Sequence, residues 1–249
     1  SLTLLETYTS PSAFLEADKQ EIIDLIRSTA RFGLTYACNK YNAIIQAAND
    51  ADEFGYILDS NIKRIRLYIG FIRKYDEEIN SILESMHELA AANEDTDFVK
   101  QIRLIETFKG AGFLSAMSLM GEIGDFSAFS KPKQLFAYFG LDPEVNESGK
   151  FVGTQLHMSK RGSRIARRAI FAVALASIRT KRNGEGINPY LRKYYELKSG
   201  QKPKMVAIGA VMHKVCNIVF AVLRDEKAFE LRSPEEHCKQ YQRPALAAA

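Results

Sequence analysis

Basic residues that could hold phosphate groups cluster in the second half of the chain. The cluster consists of Lys160, Arg161, Arg164, Arg167 and Arg168. On a helix, the three- and four-residue spacing from Arg164 to Arg167 and Arg168 places these arginines on one face. Guanidinium groups beside the amides of a helix start can bind phosphates. The pattern therefore favours phosphate binding, and the alternative is a helix packed on its alanine face with its arginines in water.

Two glycines that separate predicted helices could contribute a second phosphate contact. Gly110-Ala111-Gly112 follows Lys109 and precedes an apolar helical segment, which matches the helix-hairpin-helix pattern of DNA-binding proteins. Glycine allows a tight turn and a close approach of the backbone to an anion, and the amides of the following helix point towards it. Such turns also join purely structural helix pairs, so both interpretations stay open.

One serine, Ser148, lies beside Gly149 in a predicted loop and is therefore accessible to a ligand. A nucleophilic serine needs a base or a metal ion to activate its hydroxyl. His157 is the nearest imidazole, nine residues away, and the spacing identifies no aspartate that would orient it. The residues alone favour a turn role for Ser148, and they predict no metal site in this chain.

The charge of the 249-residue chain is unevenly distributed. Its net charge is only +4, but the segment from Lys150 to Lys204, here called the basic block, holds fourteen Lys and Arg residues and two acids. The remainder holds 20 basic and 28 acidic residues, a net charge of −8. A concentrated basic block predicts a polyanionic partner, most simply nucleic acid. The alternative is a solvated helix face.

Composition narrows the class of protein. With 46% hydrophobic and 26% charged residues, the chain has an ordinary globular balance rather than that of a disordered protein. It contains no run of about 18 apolar residues, so we expect no transmembrane helix, and its first residues do not resemble a signal peptide. Three widely separated cysteines fit a reducing cytoplasm.

The elements that must position these residues are predicted to be almost entirely helical. We expect an all-α fold with a helical and coiled-coil segment at residues 1–97, a second domain at 98–232, a tail at 233–249 and a short β-hairpin near 145–152. Apolar residues from Leu58 to Ala90 recur at heptad spacing, with Asp76 in one slot. So narrow a stripe needs a partner helix, either an earlier helix of this chain or the same helix of a second chain.

The stretch from Ile105 to Phe229 resembles the C-terminal domain of the bacterial insertion-sequence one-ten transposases, also called DEDD transposases, which include the Piv-type pilin-gene invertases. Leu4 to Ala92 resembles the coiled-coil middle region of that family. The resemblance rests on the order and spacing of Gly110-Ala111-Gly112, Gly121-Glu122-Ile123-Gly124-Asp125-Phe126, Phe129, Gln134 to Pro143, Glu147-Ser148-Gly149, Met158-Ser159-Lys160-Arg161-Gly162 and Ile208 to Lys214.

The resemblance implies a specific chemistry. In the family, a serine that corresponds to Ser148 attacks a DNA phosphodiester and forms a covalent phosphoserine link. A RuvC-like domain binds magnesium through four acidic residues and completes the site, and family members use a structured bridge RNA. On this basis we expect Lys150, Lys160, Arg161, Arg164 and Arg168 to hold the scissile phosphate and its flanking backbone. We also expect Gly110–Gly112 to clamp a second phosphate and the coiled coil to set the geometry of a homo-oligomer.

Two departures from the family pattern qualify these expectations. Lys109 replaces the usual proline before the first glycine, and residues 1–100 show helical patterns where a RuvC-like fold would need strands. We therefore expect this chain to be a fragment without the metal-binding domain, one that binds nucleic acid but does not complete strand exchange alone. Two alternatives remain, a non-enzymatic helix-hairpin-helix DNA-binding module and a coiled-coil assembly protein whose basic block binds a protein or a membrane.

Overall fold

The computed structural model describes residues 2–29, 32–55, 59–144, 147–148, 151–152 and 157–241. Most of these residues are helical, so the predicted all-α fold class is confirmed. The chain divides into two compact units, Ser1–His87 and Glu88–Ala249, which are described in turn.

Four helices build most of the first unit: α1 (Leu2–Thr7), α2 (Pro11–Glu16), α3 (Lys19–Thr29) and α4 (Leu34–Phe54). Ser10 caps α2 ahead of Pro11, and the carboxylate of Asp18 accepts hydrogen bonds from the first amides of α3, as expected for helix starts. Helices α2 and α3 both pack against α4. The core that results is made of Tyr8, Ile22, Ile23, Ile26 and Ala37.

The predicted long helix is a single element, α5 (Asp59–Ala92), which at 34 residues is about 50 Å long. The apolar stripe expected from Leu58 onwards is not buried evenly. Ile69 is 5% exposed, whereas Ile72 and Ile79 are 42% and 54% exposed, and Leu58 itself lies outside the described residues. The predicted stripe is thus buried at Ile69 and Ala90, while Ile72 and Ile79 between them face solvent.

The second unit continues with α6 (Asp97–Glu106), α7 (Phe113–Ile123), a single 3-10 turn at Phe126–Ala128, α8 (Pro132–Tyr138), α9 (Arg164–Ser177), α10 (Pro189–Ser199), α11 (Lys204–Asp225) and α12 (Pro234–Tyr241). Helix α11 lies at the centre and packs against α6, α8, α9 and α10, while α7 packs against α6 and α9. The core of this unit is therefore organised around α11.

Helix α11 is buried on most sides, as its composition predicts. Val211, Val215 and Cys216 are fully buried, and burial raises the pKa of the Cys216 thiol to about 12. By length and composition this helix could also cross a membrane, but 56% of its apolar window is buried within the chain. Core helices of soluble proteins have the same length and composition.

A narrow antiparallel hairpin links α8 to α9. Strand β1 (Glu147–Ser148) pairs with β2 (Phe151–Val152), which confirms the predicted β-hairpin near 145–152. At its base, the Glu144 amide donates to the His157 carbonyl at 2.7 Å, and the Ser159 amide donates to the Asp142 carbonyl at 2.8 Å. The two chain segments therefore run side by side where the hairpin leaves the helical body.

Below that base, the two segments cross with almost no space between their backbones. The Ser163 amide donates to the Tyr138 carbonyl at 3.0 Å. A Cβ on Gly162 would overlap that same carbonyl oxygen, and a Cβ on Gly140 would lie 2.5 Å from the Gly162 nitrogen. Gly140 also has a positive φ of 64°, a conformation that other residues adopt only with strain. This contact, here called the glycine crossing, explains why both positions are glycine.

Substitution of Gly162 by Ala should destabilise the second unit, because the added methyl group pushes two backbones apart. We expect a loss of about 1–3 kcal/mol, typical of overpacking at a tightly packed position. The measurement is chemical denaturation followed by circular dichroism.

The matched control is Gly121→Ala within α7, where an added Cβ meets no atom within 4 Å. There the same change should leave the protein equally stable or up to about 1 kcal/mol more stable, since alanine is the better helix former. Equal unfolding midpoints for Gly162→Ala and the parent protein would contradict the crossing.

Candidate nucleic-acid interface

The start of α9 is held by side chains from two segments of the second unit. The Ser163 hydroxyl accepts a hydrogen bond from the Ala166 amide at 3.0 Å and donates to a carboxylate oxygen of Glu122 at 2.6 Å. The positive end of a helix attracts an anion, and the Glu122 carboxylate already lies there. A phosphate would therefore meet the arginine side chains of α9 rather than its first backbone amides.

The three arginines at the start of α9 differ in environment. Arg164 and Arg168 are exposed and lie one helical turn apart. Arg167 is half-buried, and its Nη1 donates to the Phe139 carbonyl at 2.9 Å and to the Gly162 carbonyl at 3.4 Å. Arg167 thus closes the glycine crossing, and its predicted contact with nucleic acid stays a prediction.

Lys160 and Arg161 lie exposed on the loop that enters α9. Lys160 has a positive φ of 55°, and its amide donates to the Gly140 carbonyl at 3.1 Å, so the crossing fixes the backbone from which these side chains project. Lys160, Arg161, Arg164 and Arg168 are here called the basic cluster. Within the described residues, no ion pair joins any of the four to an acidic side chain.

The two acids of the basic block are already paired with neighbouring bases. Glu185 lies 3.1 Å from Lys181, and Glu196 lies 2.6 Å from Arg192, each four residues away in sequence. Neither acid pairs with the basic cluster in the described part of the chain. The positive charge of the cluster therefore stays available for an external anion.

Ser148 lies in the hairpin that rises from the same base. Its backbone pairs with Phe151 across the two strands. Four residues separate it from Glu144 at the base, so the two Cα atoms are at most about 14 Å apart. Lys150, which the sequence placed among the phosphate ligands, lies outside the described residues.

Two further hydrogen bonds join the segments around the hairpin base and α7, and sequence reasoning assigned no role to the residues that make them. The Ser159 hydroxyl donates to Asp142 Oδ1 at 2.6 Å, and the Tyr138 hydroxyl donates to the Glu122 carbonyl at 2.9 Å. All four residues belong to the segments on which the family resemblance rests. The sequence pointed to these four residues only by placing them in the segments that resemble the family. The structure shows that those segments contact one another.

The predicted helix-hairpin-helix turn has a structural explanation for its first glycine. Gly110 has a φ of 120°, and a Cβ there would lie 2.8 Å from the Ser177 nitrogen at the end of α9. Gly112 has open space around its Cβ position, and Lys109 is exposed beside it. A phosphate could therefore approach at Gly112 and Lys109, and that contact stays a prediction.

No metal site accompanies these groups in the described part of the chain. Nowhere among the described residues do three His, Cys, Asp or Glu side chains come close enough to hold a metal ion. The magnesium implied by the family resemblance has no matching ligand set here, and no chemical step is assigned to it.

Comparisons with known proteins find relatives that include this region of the chain. Residues 102–196 match the model of the IS116/IS110/IS902 family of transposases, a range that extends from α6 into α10. The chain is 25% identical over 239 residues to an uncharacterized 43.6 kDa protein of insertion element IS110 from Streptomyces coelicolor, which covers 93% of this chain and 53% of the relative.

Two further relatives match a shorter part. The transposase of insertion sequence element IS1111A from Coxiella burnetii is 29% identical over 69% of this chain and 45% of its own length. The pilin gene-inverting protein of Moraxella lacunata is 27% identical over 66% of this chain and 49% of its own. The chain thus spans about half the length of these curated relatives. Its residues 102–196 match the transposase domain of the IS116/IS110/IS902 family, and the chain is similar to transposases and a pilin gene-inverting protein outside that range as well.

Proposed function

We propose that this chain is the DNA-binding and strand-transfer part of a transposase, with Ser148 as its nucleophile. One observation carries the proposal: an exposed basic cluster, which has no acidic partner among the described residues, directly follows the base of the hairpin that bears Ser148. That arrangement lies within the region that matches the transposase family.

Binding comes first and depends on phosphate contacts. Arg164 and Arg168 point from one face of α9, and Lys160 and Arg161 flank that face at its start. Four cations on a fixed backbone can hold consecutive phosphates of a strand and release its counterions. Because such contacts do not read bases, they position DNA rather than select its sequence, and they suit the backbone of a guide RNA equally well.

The chemical step is a transesterification. Ser148 Oγ attacks phosphorus, an Oγ–P bond forms, and the bond from phosphorus to one deoxyribose oxygen breaks. The Ser148 hydroxyl proton leaves through solvent, and the departing oxygen gains a proton to become a free hydroxyl. Energy of the phosphodiester is retained in the phosphoserine link, so the reverse attack by another DNA hydroxyl can rejoin a strand.

Activation of Ser148 requires groups that the described residues do not supply. His157 is exposed near the hairpin base, and no acidic cluster fits a metal ion. We propose that acidic ligands for magnesium lie outside the described residues, as the greater length of the relatives permits. The chain alone would then bind nucleic acid without completing strand exchange.

The remaining partners and the location belong to the same proposal. A structured guide RNA would select the target that the phosphate contacts cannot distinguish. Self-association through α5 would bring two such sites together, and a cytoplasmic protein without a membrane partner fits a substrate that is DNA.

Loss of the two exposed arginines of α9 should weaken DNA binding and its dependence on salt. We expect Arg164→Ala/Arg168→Ala to flatten the slope of log affinity against log salt by up to about 2, since each lost phosphate contact removes close to one counterion. Fluorescence anisotropy with a DNA duplex at several salt concentrations measures the slope.

Arg27→Ala/Lys40→Ala, which removes two exposed positive charges from the first unit, is the matched control and should change the slope little. An unchanged slope in the α9 variant would favour the assembly-protein alternative.

Loss of the Ser148 hydroxyl should abolish covalent protein–DNA adducts while binding stays near normal. The adducts are detected by denaturing gel electrophoresis of protein produced from the complete reading frame. Ser81→Ala, at an exposed position on α5, controls for general effects of losing a serine hydroxyl. Adducts that persist at the parent level in Ser148→Ala would leave only the non-enzymatic DNA-binding module.

A further inference from the structure

Helix α5 carries a second heptad stripe that is unbroken and faces solvent. It steps three and four residues at a time through Ile65, Tyr68, Ile72, Tyr75, Ile79, Ile82, Met86 and Leu89. Tyr75 fills the place that Asp76 interrupts in the stripe predicted from Leu58. This set of eight residues is here called the outer seam.

The outer seam is exposed over most of its length. Six of its eight residues are between 42% and 67% exposed, with Tyr75, Ile82 and Leu89 near the upper end. From Ile65 to Leu89 the stripe runs for about 36 Å along the helix. An apolar stripe of this length in water marks an interaction surface, and its heptad spacing is that of a coiled-coil seam.

The charges of α5 are divided between its two halves. From Asp59 to Tyr75 the helix has one acid and five bases, namely Lys63, Arg64, Arg66, Arg73 and Lys74. From Asp76 to Ala92 it has no base and five acids, namely Asp76, Glu77, Glu78, Glu84 and Glu88. One half therefore carries a net charge of +4 and the other a net charge of −5.

This division selects the direction of self-pairing. Two parallel copies would place the basic halves together and the acidic halves together, and both juxtapositions are repulsive. Two antiparallel copies place each basic half beside an acidic one. We propose that the outer seam binds the outer seam of a second copy of this chain, with the two α5 helices antiparallel.

The seam also fixes the register. Its eight residues are symmetric about Glu77, so a two-fold axis there pairs Ile72 with Ile82 and Tyr75 with Ile79 of the other copy. The same axis pairs Ile65 with Leu89 and Tyr68 with Met86. Every seam residue then meets an apolar residue, and no position is left unmatched.

The flanking residues follow from the same axis. Arg66 comes to the same level as Glu88 of the other copy, but both side chains lie on outer faces of the pair, so their attraction acts only through the overall charge of the two halves. Asp76 and Glu78 each approach their own copies close to the axis, and such exposed like-charge contacts cost a few tenths of a kcal/mol each. They limit the affinity without reversing the preferred direction, since the opposite charges of the two halves outnumber them.

The inference rests on the self-association proposed above and adds its direction and register. Cross-linking in the full chain can test it, with Cys38 and Cys238 replaced by Ser. Cys216 can stay because it is fully buried. One chain carries Ile72→Cys, and a second chain with an added tag carries Ile82→Cys. Both positions are exposed, so folding should be retained and circular dichroism can confirm it.

A short bis-maleimide should join the tagged chain to the untagged one. Neither variant should cross-link to itself, because each position lies ten residues, about 15 Å, from its own copy. Glu84→Cys lies at nearly the same level as Ile82 but on the opposite side of α5 from the seam. It is therefore the matched control, and it should not link to Ile72→Cys.

Three results would overturn the inference. Cross-links of each variant with itself would show parallel helices, and self-association would stand. Dimers in sedimentation velocity without cross-links at any seam position would show that another surface pairs the chains. Monomers at micromolar concentration, without cross-links, would remove the proposed self-association as well.

Discussion

The close passage of two backbones at Gly140 and Gly162 is the constraint on which the second unit depends. The end of α8 and the entry to α9 are separated in sequence by the hairpin. Backbone hydrogen bonds join them at this contact. Arg167 donates to carbonyls from both segments and closes the contact. Side chains larger than hydrogen cannot occupy the two glycine positions without separating the segments. The crossing therefore sets both the direction of the hairpin that carries Ser148 and the position of the first turn of α9.

Electrostatics at the α9 start follow from this packing. One face of α9 is buried through Ala166, Ala169 and Val173. Arg164 and Arg168 therefore lie on the other face. Glu122 supplies the negative charge that the helix terminus attracts, through the Ser163 hydroxyl. In the described part of the chain, the basic cluster beside it forms no ion pair with Glu122. At the proposed interface, Ser163 and Glu122 thus satisfy the helix terminus, and the side chains of the basic cluster remain available for phosphates.

Local patterns predicted the elements well and their tertiary partners poorly. The bounds of α7 are those that periodicity indicates, and Asn188 caps α10 as its position before Pro189 suggests. Sequence spacing assigned Gly110 and Arg167 to phosphate binding, whereas their observed neighbours are Ser177 and backbone carbonyls. Such partners come from distant segments, which no local period encodes. Sequence reasoning missed the outer seam because it shares Ile65, Ile72, Ile79 and Met86 with the stripe predicted from Leu58. Heptad spacing fits both stripes, and only the burial of individual residues distinguishes them.

The central claim is that the crossed segments present one particular serine to a DNA strand. Tandem mass spectrometry of a protease-digested protein–DNA adduct tests it most directly, because it locates the modified residue without any substitution. The account predicts a nucleotide attached through phosphate to the peptide that contains Ser148. A nucleotide attached instead to Ser159, Ser163 or Tyr138 would contradict it.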